Sequence, residues 1–210
     1  MDVLDKPSRP VWERWLLLGL IAIGFAGRLH RLGAESLWYD ETVSVHLAGK
    51  TVAGLIAHTA GDIHPPGYYL LLHSWLHLTG SRPGLEFLAA FPSLWFGLLL
   101  VPLGVALASL ACEGRAARLL TALLLTVHPY HLWYAQEVRM YTLGACLATF
   151  SLLAAWQIGL GRKRLAWWWS LYMVAGIAGL YTLYYLVFLL LPLSLWLLYR
   201  LAQSRQRQAL

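Results

Sequence analysis

Long apolar runs separated by short polar breaks dominate this chain. Six of them read as helices able to cross a bilayer: residues 11–29, 85–111, 119–135, 141–160, 167–182 and 184–200. A crossing helix needs about 20 residues. The third run and the last two are shorter and lean on flanking Trp, Tyr and Arg as anchors. Pro92, Pro102 and Pro192 fall inside runs, which is tolerable where neighbouring helices satisfy the backbone groups that proline frees. No ten-residue alternating segments occur, so the pattern excludes an outer-membrane barrel. The expected fold is all-α: a polytopic transmembrane helical bundle of about six spans in one module, residues 1–210, with a long outer loop carrying juxtamembrane helices.

That loop, residues 30–84, is patterned. Residues 41–60 place Val43, Val45, Leu47, Leu55 and Ile56 among polar positions at roughly helical spacing, which predicts one amphipathic helix lying on the membrane surface. Gly61-Asp62 breaks it. His64-Pro65-Pro66-Gly67 follows, and proline suits the first turn of a helix. Residues 68–78 then give about three apolar turns, too few to span, so this helix reads as re-entrant or juxtamembrane. Were it to span, the orientation of everything after it would invert.

Composition sharpens this picture. The chain is 59% hydrophobic and 12% charged, outside the range of soluble domains. Its eleven Trp and eleven Tyr suit interfacial belts, and some are available to line a sugar pocket. The formal charge of +6 sits in short clusters between apolar runs, as topology signals do and nucleic-acid surfaces do not. With the amino terminus in the cytoplasm, Lys6, Arg9, Arg14, Arg115, Arg118, Arg162, Lys163, Arg164, Arg200, Arg205 and Arg207 all lie inside. Residues 30–84, 132–140 and the turn at 181–185 then emerge on the outer face, with Arg139 as an exception to the charge bias. The first run is read as a retained helix and not a signal peptide, because Arg28-Leu29-His30-Arg31 offers no small-residue cleavage site. Cys112 and Cys146 suggest neither a disulfide framework nor a metal pair.

Candidate chemistry lies in those same three outer places. Asp40 and Glu41 directly follow the first span in Ser36-Leu37-Trp38-Tyr39-Asp40-Glu41. Acids there are costly to desolvate and add nothing to spanning, so they are functional candidates. They also suit a helix N-terminus, and the two roles are compatible. His64 is held extended by the proline after it. Glu137 and Arg139 stand where one span ends and the next begins, within His128-Pro129-Tyr130-His131-Leu132-Trp133-Tyr134-Ala135-Gln136-Glu137-Val138-Arg139-Met140-Tyr141, and Arg is the preferred fork for phosphate. Interfacial anchoring of a hairpin tip is the plainer reading of that stretch. The same holds for Tyr181-Thr182-Leu183-Tyr184-Tyr185. His73 and His77 have the i, i+4 spacing of a metal pair, but Ser74 stands where a zincin would carry glutamate.

Taken in order, these motifs resemble the polytopic glycosyltransferases of the GT-C superfamily, in the family-39-like branch related to protein O-mannosyltransferases and lipid A aminoarabinose transferases. Arg28-Leu-His-Arg-Leu with Ser36-Leu-Trp-Tyr-Asp40-Glu41 is similar to the family's first outer loop. His64-Pro-Pro-Gly-Tyr-Tyr-Leu-Leu is similar to its His/Lys-Pro-Pro-Leu motif, and Phe91-Pro-Ser-Leu-Trp-Phe-Gly to its Leu-Pro-Ser segment. Pro129 to Tyr141 is similar to its Gln-Glu-x-Arg-x-Tyr motif. The chain departs from the family at Leu183, where a histidine is common. It also stops after about six spans, like an amino-terminal portion with a carboxyl-terminal half missing.

The resemblance implies an inverting transferase in the cytoplasmic (inner) membrane with its active site on the outer face. It would move a sugar from a polyprenyl-phosphate donor to a protein, lipid or glycan acceptor hydroxyl. Asp40 is implied as base with Glu41 beside it, and His64, Glu137, Arg139, Tyr141 and Tyr181 as donor-phosphate or substrate ligands. The resemblance leaves a divalent cation open, since some relatives use one. Two non-enzymatic readings stand beside it: a binder of lipid-linked sugar, and half of a split enzyme. A transporter ranks lower, because transporter sites sit at the bilayer midplane.

Overall fold

The computed structural model describes residues 10–80, 84–112, 114–161 and 163–208, with side chains to 203. Lys6, Arg9 and Arg162 of the charge pattern lie outside the described residues, as do the side chains of Arg205 and Arg207. Every regular element among the described residues is helical: α1 (Val11–Leu29), α2 (Tyr39–Ala48), α3 (Val52–Thr59), α4 (Gly67–Thr79), α5 (Leu85–Ala111), α6 (Arg115–Val127), α7 (Pro129–Tyr134), α8 (Tyr141–Gly159), α9 (Leu165–Leu180) and, after a 3-10 turn at Tyr184–Leu186, α10 (Val187–Gln208). Three stretches are long and apolar enough to cross a membrane: Leu85–Ala111, Tyr141–Gly159 and Tyr184–Gln203. The last is the least covered by protein and turns Phe188, Leu191, Leu195 and Leu198 outward.

Two expectations fail here. The run 119–135 is not one helix. Pro129 holds His128 extended (φ −62°, ψ 123°), so α6 ends at Val127 and α7 starts afresh. At about 1.5 Å per residue, α6 covers only about 20 Å. Nor is 41–60 one surface helix. Gly49 ends α2, and Thr51 starts α3 by accepting the Gly54 N–H at 3.2 Å. Leu47, Ala48 and Leu55 are buried against α4 and α5, in a cluster with Tyr68, Tyr69, Leu72, Ala89 and Leu94. α2 thus packs one face into the core, while α3 buries only Leu55 and Thr59 and leaves Val52 and Ile56 exposed.

α1 matches the expected bounds but carries Glu13, Arg14 and Arg28, and two of these charges are fully buried. At one end Glu13 takes Arg118 at 2.8 Å and Arg115 at 3.4 Å. At the other, Arg28 donates to the carbonyls of Gly24 (2.9 Å) and Leu125 (2.8 Å) and to His131 Nδ1. α7 closes over this point. Gly97 of α5 lets it approach, since a Cβ there would stand 2.6 Å from that of Ala135. Proline also has a local remedy in α5. Pro92 cannot bond the Leu88 carbonyl, and the Trp75 indole N–H takes that oxygen at 2.7 Å, tying α4 to α5.

Candidate functional site

The motifs of residues 30–84, 132–140 and 181–185 meet at one end of the bundle through backbone contacts. Glu41, at the third position of α2, is 7% exposed. One of its oxygens accepts the Trp38 N–H at 3.2 Å and the other the Val138 N–H at 2.8 Å. It therefore starts α2 and fastens the α7–α8 connection to it. The His64–Gly67 turn is fastened by the Gly67 N–H donating to the Tyr181 carbonyl at 2.6 Å. Tyr181 contributes this carbonyl while its ring is 61% exposed. A Cβ at Gly67 would lie 2.5 Å from the Tyr181 oxygen. Gly67→Ala is therefore expected to force this contact apart at a cost of about 1–3 kcal/mol, read as a lower melting temperature by circular dichroism; an unchanged melting temperature would contradict it.

Arg139 is the hub of the resulting cluster. It is 4% exposed. Its carbonyl accepts Ser93 Oγ at 3.3 Å, and Ser93 faces Tyr68 Oη at 3.5 Å. Its guanidinium lies 3.7 Å from Asp40 Oδ2 and donates to the Asp40 carbonyl at 3.5 Å. It also donates to His64 Nε2 at 3.4 Å, leaving His64 Nδ1 turned to Asp62 Oδ1 at 3.7 Å. The guanidinium carbon sits 5.7 Å from the centre of the Tyr141 ring. Burial alone would lower its pKa, but Tyr141, Tyr69 and Asp40 outweigh that and hold it above its ordinary value. Burial raises Tyr68 and Tyr69, so both stay neutral phenols.

The electrostatics of this cluster are lopsided. A nearly buried cation faces one carboxylate, that of Asp40, which is 38% exposed and not in close contact. The Arg139 Nε is buried without a partner. Such a group suits an anionic oxygen brought by a ligand. Asp40 sits in the first turn of α2.

Glu137 stands on the other side of this cluster, bonded to the Trp133 indole N–H. Burial first, then the neighbouring Glu41 and Asp40 charges, push its pKa up; the Trp133 bond and Arg139 oppose the shift. Glu41 and Glu137 line a cavity of about 630 Å³ together with Trp38, Trp133, Gln136 and Glu86. Asp40, His64 and Arg139 are not on its wall. The cluster and the cavity are neighbours across the Glu41–Val138 hydrogen bond.

Among the described residues no three His, Cys, Asp or Glu side chains gather as a metal site. His73 and His77 pack ring to ring at 4.0 Å, with Nδ1 of His73 donating to the Ala48 carbonyl and that of His77 to the His73 carbonyl. They tie α4 to α2.

The chain matches no protein-family model, no curated protein and no solved structure.

The sequence also concealed positioning residues. Ser93 and Gln136 hold backbone of the cluster and its connection, Arg28 and His131 lock the end of α1 to α6 and α7, and Tyr69 interacts with the Arg139 side chain. Gln136 donates to the carbonyls of Arg28 (2.9 Å) and His30 (2.8 Å), pinning the α7–α8 connection to the end of α1. Arg28 carried a signal: a cation at the end of a span that the charge bias assigns to the outer face.

Proposed function

We propose that this chain is a membrane glycosyltransferase that moves a sugar from a polyprenyl-phosphate donor to an acceptor hydroxyl outside the cytoplasmic membrane. The observation that carries the reading is Arg139: a buried guanidinium with an unpartnered Nε, whose ion pair among the described residues is a long one, 3.7 Å, to a partly exposed Asp40 carboxylate.

The topology we propose has six crossings with the amino terminus inside, α6 and α7 crossing together as one broken helix. The Glu13–Arg115–Arg118 end faces the cytoplasm and the Arg139 end faces out. The donor's prenyl tail lies in the lipid and brings its phosphate to Arg139. In the reaction the acceptor oxygen bonds to the anomeric carbon as the bond from that carbon to the phosphate oxygen breaks. Its electron pair leaves with the polyprenyl phosphate, and the hydroxyl proton passes to Asp40. Arg139, steadied by His64, Tyr69 and Tyr141, stabilises the charge gathering on the leaving phosphate. Direct displacement inverts the anomeric centre. Glu41 and Tyr181 hold the backbone of this site, and no step requires a divalent cation.

The donor class is tested without turnover. Polyprenyl monophosphate, the leaving group, is expected to raise the melting temperature of the detergent-purified chain in a concentration-dependent way, as a ligand of the native state does. Polyprenol lacking the phosphate is expected to leave it unchanged. Equal stabilisation by both would remove the phosphate from the reading.

A further inference from the structure

Three places outside the Arg139 cluster invite a function. The Glu13–Arg115–Arg118 group is closed on itself. The small apolar recess of about 270 Å³ beside Tyr130 and Tyr141 is open on one side and presents almost no polar surface. The cavity beside Glu41 is larger than that recess, and its chemistry is the most distinctive of the three.

We infer that this cavity binds a neutral glycan, and that the acceptor of the transfer proposed above is therefore a sugar chain; the acceptor role rests on that proposal, the binding does not. Its volume of about 630 Å³ falls within the range of small-molecule pockets, about 300–1,000 Å³. The aliphatic side chains on its wall are Leu37, Ala90 and Val138, too few to receive an acyl chain. Helix ends and two irregular connections surround it, with no strand among the described residues, so an extended peptide finds no strand edge to pair with there.

What the wall offers is two indoles and a set of polar side chains. Trp38 is 50% exposed and Trp133 64% exposed. A pyranose presents an apolar face of C–H groups that lies on an aromatic ring, and a rim of hydroxyls that both donate and accept. Glu86 and Ser36 also line the cavity and supply acceptors and a donor for that rim. Trp133 is held in place by its bond to Glu137, so one stacking surface is set before a ligand arrives. Glu35, Glu41, Glu86 and Glu137 line it against a single guanidinium, Arg31, which lies 3.8 Å from Glu35; this excess of carboxylates disfavours phosphate and separates the cavity from the Arg139 cluster that suits it. Trp38 and Asp40 are two residues apart, at most about 7 Å of chain. A glycan lying on Trp38 thus brings a terminal hydroxyl within reach of the carboxylate.

Trp38 is a clean site for the test, because its part in starting α2 is made by its backbone N–H. The chain is reconstituted in nanodiscs free of glycoside detergent and titrated with maltotriose and with chitotriose. Binding is read by tryptophan fluorescence and by saturation-transfer NMR to the sugar protons. Saturable binding of at least one trisaccharide is expected, weakened at least tenfold in Trp38→Ala, largely kept in Trp38→Phe, and unchanged in Trp15→Ala, an exposed tryptophan near the other end of α1. No saturable binding of either sugar, or equal loss in Trp38→Ala and Trp15→Ala, would overturn the inference. Polyprenyl-phosphate binding is measured on the same samples, so a chain that binds the donor and no glycan loses this inference alone. One that binds glycan and no polyprenyl phosphate keeps the glycan site and loses the transferase proposal.

Discussion

Asp40→Asn is expected to lower sugar transfer by about 10²–10⁴-fold, the usual contribution of a positioned general base, while polyprenyl monophosphate still binds. The amide keeps the shape of the carboxylate and the first turn of α2, and both Glu41 hydrogen bonds are independent of it. What it removes is the proton acceptor and the one carboxylate facing Arg139. Removing that charge leaves the guanidinium less neutralised, so donor phosphate should bind as well or better. Transfer lost with binding kept separates an enzyme from a protein that merely holds lipid-linked sugar. Transfer that persists in Asp40→Asn would reject Asp40 as the base.

Arg139→Ala has the second large effect and the opposite signature. Transfer is expected to fall by at least about 10²–10³-fold, as when a donor aimed at developing charge is removed. Here polyprenyl phosphate no longer raises the melting temperature. Arg139→Lys keeps the charge and loses the planar fork, so it should recover phosphate binding in part and transfer far less. The paired readout distinguishes this role from a structural one. If Arg139 only held the cluster together, alanine and lysine would lower the melting temperature without selectively abolishing the response to polyprenyl phosphate.

Much of the scaffold was legible because its causes are local. α1 and α5 begin and end where the apolar runs do, since charge, glycine and run length fix those bounds. The break at His128 was also written locally, in the Pro129 that follows it, but hydropathy averaged over the run hid it. Residues 41–60 misled for another reason. Their mixed pattern suits one helix at the water surface; α3 keeps that exposure, whereas the inner face of α2 is covered by α4, and coverage is decided by other segments of the chain.

The site divides in the same way. The charge bias brought Asp40, His64 and Arg139 to one end of the bundle, and the structure places them within contact of one another. It did not reveal what Glu41 or Tyr181 does. Glu41 serves a backbone N–H 97 residues away, and Tyr181 acts through its carbonyl on Gly67. Neither partner leaves a mark in the side-chain pattern. The cavity was equally hidden, because its wall draws on the end of α1, the first turns of α2 and α5, and the α7–α8 connection.

The most direct measurement is sugar transfer by the purified chain, reconstituted with radiolabelled polyprenyl-phosphate sugars differing in the sugar and supplied with glycan, lipid and peptide acceptors. The account predicts label leaving at least one donor for an acceptor, with polyprenyl phosphate released and the anomeric centre inverted. A correctly folded chain that binds polyprenyl phosphate yet transfers label from none of them would contradict it.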